Sequence, residues 1–279
     1  MQIKKGKVIL VGAGPGDPEL ITVKAVRWLQ KAEVVLADRL VSPQIIDDYV
    51  SPHAEVIPVG KQCGRGVSTP QSHINELLVK YAEKGKLVIR LKGGDVSIFS
   101  NILDELKVLS ENNIPYEIIP GITAATGIAA FSAIPLTARN YSKGVRFLTY
   151  YKSDVLSEEY WKELAQTDDT LVFYMSSETA SEVVEKLTSH GIDSDKLLAV
   201  VEQGTTPNQQ VTVINLYEYS STTINRKLAS PSLLIIGRVV QLHEEFRWLK
   251  NGPGTEEYFE PVVPQLVEYY SGNQKFVTA

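Results

Sequence analysis

The sequence predicts an α/β protein built as two α/β domains with a crevice between them. Three observations predict it. In the first half, short apolar runs alternate with stretches of helical periodicity, the order expected of a mainly parallel sheet covered by helices. Between Ile134 and Ser142 that periodicity lapses, and a second series of strands begins at Val145. Finally, Leu87-Val-Ile-Arg-Leu-Lys-Gly-Gly-Asp95 carries an apolar strand straight into two glycines and a carboxylate, where open α/β sheets place their ligand crevices.

In chain order, Lys7–Val11 is a compact apolar strand followed by Gly12-Ala-Gly-Pro-Gly-Asp-Pro18 and a helical stretch from about Leu20 to Lys31. Strand, glycine loop and helix invite a dinucleotide reading. The glycines stand at 12, 14 and 16, however, which is not the spacing of that motif, and two prolines stiffen the turn. Glu33–Ala37 is a second strand ending in Asp38-Arg39. This adjacent carboxylate and guanidinium read either as an ion pair or as a base beside an anion anchor. Ala54–Val59 is a third strand, followed by a polar loop that carries Lys61, Cys63 and Arg65. Ile74, Leu77, Leu78 and Tyr81 repeat at helical spacing within Ser72–Lys84, which Gly85 ends.

After the central strand, Ser100–Glu111 has helical periodicity and Tyr116–Ile119 is a strand. Pro120-Gly-Ile-Thr-Ala-Ala125 then opens a helix of small residues that admits close approach by a ligand or another helix. In the second half the expected elements are strands at Val145–Tyr150, Thr170–Tyr174, Leu197–Val201, Gln210–Ile214 and Ser232–Ile236, with helices at Glu158–Gln166 and Glu178–His190. Short connections among these strands predict a mixed sheet. The expected divisions are 1–138, 139–245 and a Gly-, Pro- and aromatic-rich tail, 246–279, with no assigned role.

A net charge of −5 over 279 residues argues against general nucleic-acid or membrane-surface binding, which needs concentrated positive charge. No apolar run is long enough to span a bilayer, and the N-terminus has no apolar signal region. One cysteine, Cys63, permits no internal disulfide. The expected location is therefore cytoplasmic. The four histidines show no metal-ligand spacing, so no metal is expected.

Several of these stretches together resemble the tetrapyrrole methylase family, and within it the branch acting on uroporphyrinogen III. They are Val11–Thr22 (VGAGPGDPELIT), Ala37–Ser42 (ADRLVS), Val59–Lys61 (VGK), Val88–Asp95 (VIRLKGGD), Pro120–Gly127 (PGITAATG), Ile134–Tyr141 (IPLTARNY), Leu171–Met175 (LVFYM) and Val201–Val211 (VEQGTTPNQQV). The resemblance implies S-adenosylmethionine (SAM) as methyl donor, S-adenosylhomocysteine as product, and a tetrapyrrole substrate in the cleft between domains. It places SAM contacts on Pro15, Gly93, Gly94, Asp95, Ile98, Thr123, Ala124, Met175 and Gly204. It puts a proton acceptor on Asp38 and a proton donor on Lys61. Because the substrate carries many carboxylates, Arg39, Lys61, Arg65, Arg139 and Arg146 are expected to pair with it. The implied reaction is methylation of uroporphyrinogen III at two ring carbons, C2 and C7, giving precorrin-2 for sirohaem or cobalamin synthesis, by a homodimer. The alternatives are a methylase of the same fold acting on another precorrin, and a non-catalytic tetrapyrrole-binding protein. The chain departs from the family pattern after Asp95. Val96-Ser97 replaces Pro-Phe, and Ser100 with Asn101-Ile-Leu-Asp-Glu105 replaces an arginine with a Gly-Gly-Glu run. Tyr150-Tyr151 and Ser232 are further departures.

Overall fold

A computed structural model describes residues 5–60, 69–219, 228–253 and 257–259. Its first sheet has five parallel strands: β1 (Lys7–Gly12), β2 (Val34–Ala37), β3 (Glu55–Pro58), β4 (Leu87–Lys92) and β5 (Tyr116–Ile119), in the order β3-β2-β4-β1-β5. Strands β1, β2 and β4 are buried on both faces, which is why they read as continuous apolar runs.

The two faces are covered separately. Ile9, Val11, Val35, Ile89 and Leu91 meet α1 (Val23–Leu29) and α2 (Pro43–Tyr49). Val8, Leu10, Val34, Leu36 and Val88 meet α3 (Gln71–Glu83) and α4 (Ile102–Glu111). The alternation along β4 therefore sends Arg90 and Lys92 to the α4 side.

Three helices of the first domain differ from the sequence expectation. The stretch from Leu20 is split into a 3-10 turn at Pro18–Leu20 and α1, because Asp17 caps the turn and the Thr22 hydroxyl caps Ala25 N–H. Helix α2 was not anticipated. It has Pro43 at its first turn, where the missing N–H costs nothing. Helix α4 starts after Ser100, because Asn101 before it is left-handed, with φ 55°.

The second sheet contains β6 (Val145–Thr149), β7 (Thr170–Tyr174), β8 (Leu197–Glu202), β9 (Gln210–Asn215) and β10 (Ser232–Gly237), in the order β6-β7-β10-β8-β9. It is mixed: β6 and β7 are parallel, and the other pairs are antiparallel. One face is covered by α6 (Glu158–Gln166) and α7 (Ala180–Ser189), around Trp161, Phe173 and Leu187. The other face takes α5 (Ala124–Phe131), whose Ala125 and Ile128 join Val172, Ala199, Val201 and Ile235 in one core. Helix α5 leaves the first sheet but is buried against the second, so the link between the sheets is itself packed. After β10 the chain makes a 3-10 turn and a short helix, α8 (Leu242–Phe246).

No helix among the described residues is long and apolar enough to cross a membrane, and no group of His, Cys, Asp or Glu among them is arranged to hold a metal ion.

Candidate active site

All five parallel strands of the first sheet end on one edge, and the loops that leave it are stitched to each other. Gly14 and Gly94 exchange backbone hydrogen bonds, N–H to O at 3.1 and 2.7 Å. Gly12, Gly94 and Gly121 meet backbone to backbone. A Cβ on Gly121 would overlap the Gly94 carbonyl oxygen and come within 2.8 Å of the Gly12 carbonyl carbon. The Asp95 carboxylate completes the join: Oδ2 accepts from Gly121 N–H at 2.9 Å, and Oδ1 accepts from Ser97 N–H at 2.8 Å and from the Ser97 hydroxyl. Burial raises the Asp95 proton affinity, but these donors outweigh it and leave the carboxyl below its ordinary pKa. Both Asp95 oxygens thus serve the loop join, not a free acceptor site.

The second sheet supplies the facing wall. Gly16 lies against the loop after β8, where an added Cβ would stand 2.8 Å from Thr206 Cγ2 and 2.9 Å from Thr205 Oγ1. Asp17 N–H donates to Thr205 Oγ1 at 3.2 Å. Pro15 seats on Gly127 of α5, with 2.6 Å between Cγ and a Cβ built there, and Gly204 seats on Ile128. Pro15 and Gly204 are therefore buried seam residues.

At the end of β7 the Tyr174 hydroxyl accepts from Ala125 N–H at 2.9 Å and shares a hydrogen bond with Thr123 Oγ1 at 2.7 Å. It caps the first turn of α5 from the opposite sheet. Burial raises its pKa, against the pull of these two bonds, so the hydroxyl is neutral at ordinary pH. Its ring meets Phe99 at 5.1 Å, which brings the loop after Asp95 under β7. Met175 follows, half exposed, with its sulfur 3.1 Å from the Tyr151 hydroxyl. Phe99, Asn101, Met175, Gln203 and Thr205 all have left-handed backbones without being glycine. Such strain gathers where loops are held for function. Over Gly94, with φ 68°, there is room: a Cβ there would have only Ala124 N near it, at 3.9 Å.

Beside this cradle lies a buried charge network that the sequence did not announce. Arg90 is 2% exposed. Its Nη2 donates to Asp38 Oδ1 at 2.5 Å, its Nε to Glu105 Oε1 at 2.8 Å, and its Nη1 to the carbonyls of Leu36 and Leu91 at 3.2 Å each. Lys92 Nζ donates to both oxygens of Glu105, at 2.9 and 3.0 Å. Two cations face two anions, as burial requires. Burial works against the charge on Arg90, but Asp38 and Glu105 more than offset it. Lys92 is pushed down by burial and by Arg90, with Glu105 pulling the other way. The Asp38–Arg39 ion pair, one of the two readings of that dipeptide, is not formed. Asp38 turns to Arg90, and Arg39 Nη2 reaches Ser230 Oγ of the second domain at 3.2 Å. Neighbouring side chains at a strand end point to opposite sides, which sets them apart.

The expected SAM residues gather along this one seam: Pro15, Gly93, Gly94, Asp95, Ile98, Thr123 and Ala124 on the loops leaving the first sheet, and Met175 and Gly204 opposite. Asp38 and Arg39 stand at the same edge. Lys61 and Arg65, with Cys63, lie outside the described residues. Arg146 is not at the cleft. It sits near the start of β6, opposite the Met175 end, and is committed to Asp169 at 2.8 Å and Glu163 at 2.6 Å. Arg139 is exposed on the Ala138–Ser142 turn, which is tied by Ser142 Oγ to the start of β7. Sequence reasoning missed Tyr174, Phe99, Arg90 and Glu105. The alternation of Arg90 and Lys92 with apolar residues in β4 was the one available signal. The tail, which the sequence leaves free to pack on the body or on a partner subunit, returns to the body. Tyr258 bonds Ser42 Oγ at 2.7 Å through its hydroxyl and Gln203 Oε1 at 2.6 Å through its N–H, spanning both domains.

A family model described as Tetrapyrrole (Corrin/Porphyrin) Methylases matches residues 7–220. A siroheme synthase from Vesicomyosocius okutanii is 43% identical over 253 residues, which is 91% of this chain and 54% of that protein. The chain spans about half the length of the curated relatives it matches. Among solved structures, a uroporphyrin-III C-methyltransferase from Thermus thermophilus superposes with TM-score 0.72 at 33% identity, covering 88% of this chain and 98% of that one. The same Thermus protein complexed with S-adenyl homocysteine gives TM-score 0.70 at 33% identity, over 85% and 100% of the two chains. Two sheets joined through a buried helix, a glycine-stitched crevice between them and a matching family model over most of its length make this chain a member of the tetrapyrrole methylases.

Proposed function

We propose that the chain is a SAM-dependent C-methyltransferase that methylates uroporphyrinogen III at C2 and C7, giving precorrin-2 for sirohaem or cobalamin synthesis. The observation that carries the reading is the seam itself. Loops from the ends of β1, β4 and β5 are fused by glycine contacts, the 203–206 loop packs on Gly16 beside them, and the space over Gly94 is open. The fit to SAM rests on that space: backbone groups are exposed around Gly94 and Ala124, and apolar Ile98 and Met175 offer a face to adenine. Pro15 and Gly204 contribute by closing the seam, and Asp95 by holding Gly121.

SAM, when bound, supplies a sulfonium methyl already activated for attack by an electron-rich pyrrole carbon, with S-adenosylhomocysteine left behind. The chain's own task is to orient and to move protons. Asp38 is partly open, with its side chain 28% exposed, and Arg90 holds its Oδ1. It is assigned the proton that the macrocycle loses after methylation: the ring carbon spends its π pair on the new bond to the methyl group, and the resulting cation is neutralised when a neighbouring C–H or N–H bond of the macrocycle returns its electron pair. Lys61 is assigned the donor role, and Arg39 and Arg65 the substrate carboxylates; Arg139, on a turn tied to the start of β7, shares the end of the sheet that holds Arg146. A homodimer and a cytoplasmic location belong to the same reading.

The test is turnover of purified protein with SAM and uroporphyrinogen III, followed by product mass. The expected product carries two added methyl groups. SAM binding without any methylated product would overturn the reading. A product obtained only from another precorrin would replace its acceptor. Asp38→Asn is expected to abolish most turnover, and full turnover would remove Asp38 as the base.

A further inference from the structure

We propose that Arg90 is the positioning residue for Asp38, with Glu105 and Lys92 as its buried anchor. The inference rests on the reading of Asp38 as proton acceptor and goes beyond it, because it says what makes that carboxylate fit for the task.

The geometry is unusually complete. Each guanidinium nitrogen of Arg90 has an acceptor, so the fork has one orientation available to it. One of its acceptors, the Leu91 carbonyl, also receives Asp38 N–H at 3.0 Å. The backbone and the side chain of Asp38 are thus fixed from the same point on β4. Glu105 is fully buried, and both its oxygens are taken by Arg90 and Lys92. A rotation of Arg90 would give up its bond to Glu105 or its two carbonyl bonds and leave a buried guanidinium part-paired, which is costly. Asp38 is the network's opening to solvent, since Arg90, Lys92 and Glu105 are almost wholly covered.

No described residue hydrogen-bonds Asp38 Oδ2. With Oδ1 pinned by Arg90, Oδ2 is the oxygen left to meet the proton that the macrocycle loses. Proton transfer needs an acceptor aimed to within a fraction of an ångström, and a guanidinium anchored at three points besides Asp38 supplies that aim without entering the cleft. Lysine cannot replace it: an ammonium is a single point of charge and cannot hold Asp38, Glu105 and two carbonyls together.

The experiment is a double-mutant cycle on the full chain, reading kcat at saturating substrates and SAM affinity by equilibrium binding. Arg90→Lys is expected to lower kcat on the order of 100-fold, the scale of a misplaced reacting group, with SAM affinity unchanged. In an Asp38→Asn background the same change is expected to add nothing, because the carboxylate it serves is gone. Wild-type kcat in Arg90→Lys, with Asp38→Asn slow, would overturn the positioning role and leave the base assignment standing. Full turnover in Asp38→Asn would overturn both. Additive losses would show that Arg90 acts elsewhere, and would overturn the proposal. Should Arg90→Lys fail to fold, Glu105→Gln, paired with Lys92→Met so that no buried cation is left without its partner, carries the test, since it keeps the guanidinium and weakens its anchor. Its loss of kcat is expected to vanish in the Asp38→Asn background, and an additive loss would overturn the proposal equally.

Discussion

Replacing Tyr174 with phenylalanine removes one oxygen atom and asks how firmly the two domains are joined at the donor site. The ring stays, with its contacts to Phe99 at 5.1 Å and Phe147 at 5.8 Å, so the apolar burial is kept. What is lost is the bond from Ala125 N–H at 2.9 Å and the bond with Thr123 Oγ1 at 2.7 Å. Ala125 N–H belongs to the first turn of α5 and has no carbonyl of its own helix to meet. At about 0.5–1.5 kcal/mol net per bond, two bonds are worth about 1–3 kcal/mol. Tyr174 is only partly buried, and water can replace some of this, so the lower part of the range applies. For a chain of this length, about 1–2 kcal/mol corresponds to a fall in Tm of about 2–6 °C. Thr123 and Ala124, the proposed SAM contacts, lie on the same turn, so S-adenosylhomocysteine affinity is expected to fall several-fold in parallel. Thermal unfolding with and without S-adenosylhomocysteine, and calorimetric titration, measure both effects. An unchanged Tm together with unchanged affinity would refute the claim that the Tyr174 hydroxyl organises the start of α5.

Three further predictions use the same seam and its surroundings. Asp95→Asn sets an amide N–H2 or a weaker acceptor against Gly121 N–H and is expected to cost about 1–3 kcal/mol at neutral pH. Because the Asp95 pKa is lowered in the folded chain, its contribution is present above the ordinary value of 3.8 and is lost as pH falls through the folded value. The stability gap between wild type and variant, from urea melts, therefore closes in acid, and a gap independent of pH would contradict the assignment. Gly121→Ala drives a methyl into the Gly94 carbonyl and the Gly12 backbone, neither of which can turn aside. It is expected to cost about 1–3 kcal/mol and to weaken donor binding, as read by melting and titration. Arg146→Gln is expected to leave turnover unchanged and to cost below about 1 kcal/mol, since its partners Glu163 and Asp169 are partly exposed. Reduced turnover would return Arg146 to the substrate list.

The parts legible in the sequence were those with short-range signatures. Buried parallel strands announce themselves as apolar runs, and Gly12, Gly94 and Gly121 mark backbones that must touch. The parts not legible were pairings over long separations. Asp38 finds Arg90, 52 positions away, while its chain neighbour Arg39 turns to Ser230. Val88, Ile89 and Leu91 made β4 read as plain core, although Arg90 and Lys92 alternate onto the face where α4 brings Glu105. Arg146 carries the right charge for a substrate contact, but its place near the start of β6 puts it at the wrong end of the sheet. Helix α2 spans seven residues, too short a run for periodicity to show. The return of Tyr258 to Ser42 crosses 216 positions and has no local signal at all.

The departures from the family pattern after Asp95 divide by the direction their side chains face. Val96 is buried, Ser97 gives both its donors to Asp95, and the Ser100 hydroxyl bonds the Val96 carbonyl, so these replacements still form a closed turn around the carboxylate. Glu105, at the end of the altered run, is the anchor of Arg90. Ile102 packs partly buried against the α3–α4 core, and the other replacements face outward. Asn101 is exposed with φ 55°, and Leu103 is 61% exposed. The loss of the family's arginine therefore falls on the outer surface of this turn, where Asn101 holds the backbone left-handed and Phe99 stands half exposed beside Tyr174. The inner layer, which fixes Asp38 and Asp95, is intact. A shift in acceptor preference, where turnover reveals one, must then arise at that outer surface and leave the donor site untouched. Restoring arginine at Asn101 should accordingly change the KM for the tetrapyrrole and not the affinity for SAM. The opposite split would place the altered turn in the donor site.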